Sequence, residues 1–157
     1  MATPETLPAS RVITRREVVE AARSFVGMPY RHQGHTKRGL DCIGLVIVVA
    51  QKFGFDTSIP RGYSAQPQAR QVLSGADATL WKPEDQSKIQ PGDIAVFWGW
   101  MAAEPQHFTI IGHSGTGLTV IHAYSKFMKV VEQGWNNVWA SHLHSRYVLP
   151  GTEEEYR

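Results

Sequence analysis

The stretch Asp41-Cys42-Ile43-Gly44-Leu45-Val46-Ile47-Val48-Val49-Ala50 constrains this chain more than any other. It sets the chain's one cysteine directly before an apolar run. Local signals conflict there. Ile43, Val46, Ile47, Val48 and Val49 are β-branched and favour a strand. The run from Cys42 to Phe53 is long for a strand, however, and it closes on Lys52 and then Gly54, as helices do. A helix that is apolar on every side is a buried one. The expectation is a buried helix with Cys42 at its N-terminus and the sulfur facing a cleft. A thiol in that position can act as a nucleophile, although a free cysteine is more often a small buried apolar group.

Composition frames that helix. A chain of 157 residues makes one domain with a core of its own. The formal charge is only +2. Arg15-Arg16 and Lys37-Arg38 are pairs rather than a basic stripe, so nucleic-acid binding gains no support. No apolar run approaches the ~20 residues that span a bilayer. Residues 1–11 lack the apolar segment of a signal peptide. One cysteine cannot close an internal disulfide.

Taken in order, residues 1–13 read as a flexible arm, 14–150 as a single domain and 151–157 as a frayed acidic tail. Thr14-Arg15-Arg16-Glu17 is a capping-box pattern. Val18, Ala21, Ala22 and Phe25 follow at helical spacing, which predicts a helix over 14–26 ended by Gly27 and Pro29. Tyr30 to Leu40 reads as a polar loop. A short helix is expected near 68–73 within an irregular stretch. Strands follow at 94–98, 107–111, 118–124, 129–132 and 145–149, with 112–117 as a hairpin loop and a helical turn inside 136–142. Helices first and antiparallel strands after them indicate an α+β fold.

The chain has seven histidines. His107 opens one predicted strand, and His122 lies late in the next. Antiparallel pairing makes the start of the first a neighbour of the end of the second. A cysteine-bearing helix end packed there would bring together a thiol, a base and a group that orients the base. The helix N-terminus and an imidazolium would lower the thiol pKa. His32 and His35 read as surface residues, and His142 and His144 as structural or solvent-facing. No Cys pair or His-Glu-x-x-His frame is present, so neither a metal nor another cofactor is expected. Trp100 lies in the loop leading to His107 and is placed at the cleft rim.

Five segments carry a resemblance: Phe25-Val26-Gly27-Met28-Pro29-Tyr30, Gly39-Leu40-Asp41-Cys42-x-Gly44-Leu45-Val46, Gln90-Pro91-Gly92-Asp93-Ile94-Ala95-Val96-Phe97, His107, and Ile121-His122-Ala123. In this order the chain resembles the NlpC-type cysteine peptidases, papain-like enzymes that cut peptide bonds in peptidoglycan stems. The resemblance implies a papain-like fold in which N-terminal helices, one carrying the nucleophile at its N-terminus, pack on an antiparallel sheet. It implies Cys42 as nucleophile, His107 as base and His122 as the orienting third residue. Tyr30 would help bind the oxyanion, and Asp41 would lie on the substrate side of the cleft. That family usually has Ser after the cysteine, so Ile43 would bear on substrate recognition. The His32-Gln33-Gly34 loop and the Asp41-Cys42-Ile43-Gly44 form look most like a phage and prophage branch. That origin would make phage tail proteins possible partners and would carry the protein to the cell wall with a particle, after lysis or by another export route. A tail-assembly or wall-docking scaffold and a thiol amidase or acyltransferase are the alternatives.

Overall fold

The computed structural model describes residues 12–55, 69–100 and 104–157. Helix α1, Arg15–Arg23, begins at the capping box. The Thr14 hydroxyl accepts the Glu17 N–H at 3.1 Å, and the Glu17 carboxylate accepts the Thr14 N–H at 2.8 Å. The helix stops at a Ser24 cap, earlier than residue 26. Helix α2, Cys42–Lys52, resolves the conflict at the cysteine in favour of helix. Its buried side chains include Ile43, Leu45, Val46, Ile47, Val49 and Ala50, so packing overrides β-branched propensity. Helix α3, Ala69–Thr79, extends well past the predicted residue 73. The prolines at 60 and 67, read as breaks, lie outside the described residues, as does most of the arm.

Residues 30–40, expected as a loop, contain a small hairpin of β1, His35–Thr36, and β2, Gly39–Leu40. The main antiparallel sheet contains β3 (Ile94–Trp98), β4 (Pro105–Ser114), β5 (Gly117–Tyr124), β6 (Lys129–Gly134) and β7 (Leu143–Tyr147). Its order is β6-β5-β4-β3-β7. The β4–β5 pairing runs on to Ser114 opposite Gly117, so the expected 112–117 loop shrinks to a Gly115-Thr116 turn. Helix α4, Asn137–His142, is capped by the Asn136 side chain.

Period-two alternation gives the sheet two apolar faces. Val96, Phe108, Ile110, Ile121 and Val130 join Val18, Val19 and the α2 side chains in one core. Ala95, Phe97, Ile111 and Val120 meet Trp139 of α4 on the other. Asp93 leads into β3 and is fully buried between two nearly buried arginines. Arg15 reaches its carboxylate at 2.7 Å and Arg146 at 3.1 Å.

The acidic tail, expected to fray, is instead docked. Thr152 bridges Ile13 in parallel, Glu153 accepts the Arg15 N–H at 2.7 Å, and Tyr156 donates its N–H to Gln90 at 2.8 Å. The tail offers carboxylates and carbonyls to the cationic start of α1, which its composition alone does not reveal. Among the described residues, no helix is long and apolar enough to cross a membrane.

The start of α2 is pressed against the preceding loop. A Cβ built on Gly44 would lie 1.8 Å from the Gly34 carbonyl oxygen. Gly44→Ala is expected to force these backbones apart and destabilise the fold by about 1–3 kcal/mol, read as a lower melting temperature.

Candidate active site

Cys42 is the first residue of α2, and Asp41 caps that helix. Asp41 Oδ1 accepts the Gly44 N–H at 2.7 Å, while Oδ2 accepts the Gln33 N–H at 2.9 Å. The carboxylate is 2 % exposed. Asp41 therefore shapes the cysteine's helix end from beneath and is not among the residues that line the cleft. Ile43 is not among the lining residues either. It is completely buried in the core between α2 and the sheet, where i+1 on a helix points away from a cleft-facing residue.

The sulfur of Cys42 lies against the backbone on both sides of His107. Its thiol is 3.9 Å from the Gln106 carbonyl oxygen, and the Phe108 backbone N–H hydrogen-bonds to the sulfur. These two groups bracket His107 in sequence. His107 sits near the start of β4 and His122 near the end of β5, at the common sheet edge that the hairpin predicts. His107 Nε2 and His122 Nδ1 are 2.7 Å apart. His122 is fully buried, and its Nε2 lies 2.6 Å from Gln133 Oε1 on β6.

With the Gln133 amide oxygen facing His122, this chain of contacts orders the protons. An amide oxygen only accepts, so His122 carries its proton on Nε2. Its Nδ1 is then an acceptor, and His107 must donate from Nε2. The His107 lone pair is left on Nδ1, in the tautomer a general base requires. Gln133 was missed in the sequence. Its signal was a polar residue on a strand beside His122, visible only once β5 and β6 are in register.

Electrostatics here differ from the sequence expectation. Burial pushes the Cys42 thiol up to about 12, and the Asp41 carboxylate adds to the rise. The backbone N–H groups of Phe108, Ile43 and Cys42 act the other way but lose. Burial lowers His107 to about 3, helped by His122, and lowers His122 to about 4 against the Gln133 hydrogen bond. Both shifts favour the neutral thiol and the neutral imidazole. Tyr30 is pushed up to about 12 by burial and by the Cys42 and Asp41 charges, so its hydroxyl stays a donor.

The histidine shifts carry a stability consequence. The unfolded chain takes up these two protons near the ordinary value of about 6.5. Stability from the neutral pair is therefore complete above that pH and is lost as pH falls toward the folded-state values. Melting temperature is expected to decline between about pH 7 and pH 4, and to decline less in His122→Gln.

A cleft of about 590 Å³ opens above these groups. Cys42, His107, Gln133 and Tyr30 line it, and Trp100 and Trp139 contribute aromatic walls. Trp100 lies in the cleft lining and is 49 % exposed. It stacks on His142 at 4.4 Å between ring centroids with only 3° between planes. His142, read as structural, thus holds the rim tryptophan upright. His32 is exposed and lies outside the cleft lining.

Comparisons with known proteins agree with this geometry. The NlpC/P60 family model matches residues 27–148. The probable endopeptidase NlpC of Escherichia coli is 31% identical over 117 residues, covering 74% of this chain and 66% of that protein. A probable endopeptidase of Mycobacterium bovis is 34% identical over 84 residues, covering 54% of this chain but 18% of that protein. The chain therefore spans slightly under two thirds of one relative and about a fifth of the other. Among solved structures, an NlpC/P60 family protein from Bacillus cereus aligns with a TM-score of 0.60 at 19% identity, covering 87% of this chain and 40% of that one. The NlpC/p60 domain of the peptidoglycan hydrolase SagA aligns with a TM-score of 0.57 at 24% identity, covering 87% and 100%. With sheet order, cysteine-bearing helix and family match in agreement, the chain belongs to the NlpC/P60 family.

Proposed function

We propose that this chain is a cysteine endopeptidase that hydrolyses peptide bonds in peptidoglycan stem peptides. The observation that carries the reading is the Cys42 sulfur held against the backbone on both sides of His107, whose ring is tied to His122 and Gln133. The E. coli relative's name, probable endopeptidase, supports it.

The neutral resting pair sets the course of the reaction. His107 Nδ1 takes the thiol proton as Sγ bonds to the scissile carbonyl carbon. The carbonyl π electrons move to oxygen, where the Cys42 N–H and the protonated Tyr30 hydroxyl act as donors. The tetrahedral adduct collapses, the C–N bond breaks, and the leaving amine takes the proton from His107. Water then repeats the sequence on the thioester, and the stem peptide leaves with a new carboxylate. His122 stabilises the transient imidazolium by accepting from His107 Nε2, and Gln133 holds His122 in the accepting tautomer.

Mass spectrometry of defined muropeptides tests this. Wild type is expected to release paired fragments with new amine and carboxylate ends, and Cys42→Ala none. Identical products from both proteins would sink the reading. Burial keeps the resting thiol protonated, so slow alkylation of the free protein would not mark a scaffold; products decide. The finer part of the proposal is a phage or prophage origin with action at the cell wall. It is supported by the Asp41-Cys42-Ile43-Gly44 form, and tail genes beside the coding sequence would bear it out.

A further inference from the structure

The small hairpin beside the nucleophile carries a charge pattern that the reaction does not use. Five of the eight residues 31–38 are basic or imidazole-bearing, and none is acidic. In the linear sequence Lys37-Arg38 is only a pair. The β1–β2 turn brings Arg31, His35, Lys37 and Arg38 around one concavity of about 580 Å³, with Gln33 and Thr36 between them. Among the described residues, no ion pair engages Arg31, Lys37 or Arg38. By contrast Arg15, Arg23, Arg146 and Arg157 each meet a carboxylate.

The backbone that carries this cluster is fixed in place. The Gln33 N–H bonds Asp41 Oδ2, the Gly34 carbonyl accepts the Asp41 N–H at 3.1 Å, and Arg31 and Leu40 share a backbone hydrogen bond. Gln33 holds a left-handed φ of 60°, which non-glycine residues adopt only when their surroundings demand it. The same contacts that seat the helix end of Cys42 therefore seat the basic concavity. Arg31 follows Tyr30 of the cleft wall, so the two sites adjoin.

We infer that Arg31, His35, Lys37 and Arg38 form an oxyanion-binding cradle beside the catalytic cleft, which holds a carboxylate- or phosphate-bearing part of the cell wall during hydrolysis. Guanidinium forks suit both groups, and a concave cluster of one sign raises the local concentration of such ligands. The carboxylate form of this inference rests on the peptidase reading; the phosphate form does not.

The test uses the full chain as wild type and as an Arg31→Gln/Arg38→Gln variant, with melting curves showing that both fold. Its probes are a stem peptide with free carboxylates, the same peptide with those groups amidated, and polyglycerol phosphate. If substrate carboxylates fill the cradle, amidation raises the wild-type KM about tenfold, and the variant no longer tells the two peptides apart. If a wall phosphate polymer fills it, polyglycerol phosphate binds wild type in a salt-sensitive manner and the variant about tenfold more weakly. Equal KM ratios together with equal polymer binding in both proteins overturn the cradle. No turnover of either peptide with polymer binding intact overturns the peptidase reading and leaves the cradle standing.

Discussion

Replacing His107 with alanine is expected to lower kcat/KM on a stem-peptide substrate by about 10,000-fold, nearly all of it in kcat. The large size follows from the resting state. Burial pushes the Cys42 thiol up to about 12, which favours the protonated form and makes attack depend on a base that takes the proton. Gln133→Leu should cost less, about tenfold to a hundredfold, because His122 stays in place but is free to take the wrong tautomer. Gln133→Glu separates orientation from packing. A carboxylate there accepts from His122 as the amide does, and its charge favours protonated histidine. Activity should persist, with its acid limb moved to higher pH. Steady-state kinetics across pH measure all three. A His107→Ala loss below tenfold would remove His107 as the base.

The second large effect concerns stability. Asp93→Ala is expected to cost about 3–5 kcal/mol, lowering the melting temperature by about 10 °C or more. Asp93 is completely buried, and it accepts from Arg15 at 2.7 Å, from Arg146 at 3.1 Å and from the Gln90 N–H at 2.9 Å. Removing it strands two guanidinium groups that have almost no contact with water. The loss should spread, because Arg15 also donates to the Pro91 and Glu153 carbonyls, and Arg146 to that of Asp85. Urea unfolding would measure it. A shift below about 1 kcal/mol would show that the arginines find water or other partners.

Much of this arrangement was legible in the sequence, for local reasons. The capping box at Thr14 and the paired positions of His107 and His122 depend on residues close together in the chain or joined by one hairpin. The helix at Cys42 needed more than propensity, since its β-branched residues argue for a strand. Length, Lys52 and Gly54 tipped the balance, and the family resemblance agreed. Asp41 carried a further local signal. An aspartate three residues before a glycine amide at a helix start is a capping signal, and it was there to be read. Ile43, one position past the cysteine on the helix, turns into the core. Gln133, the His142–Trp100 stack and the docked tail depend on contacts between distant segments, which no local pattern encodes. The thiol's raised pKa belongs with them, since it comes from enclosure by β4 and Asp41 together.

The parallel bridge between Ile13 and Thr152 has a mechanical consequence. Ile13 donates to the Gly151 carbonyl at 2.9 Å and accepts from the Glu153 N–H at 2.9 Å. Because the two segments run in the same direction, tension drawing the chain outward on both sides would slide them past one another. Both hydrogen bonds would then bear the load together, with the Arg15–Glu153 contacts beside them. Such a shear clamp resists force better than a hairpin opened from its end, where bonds break one by one.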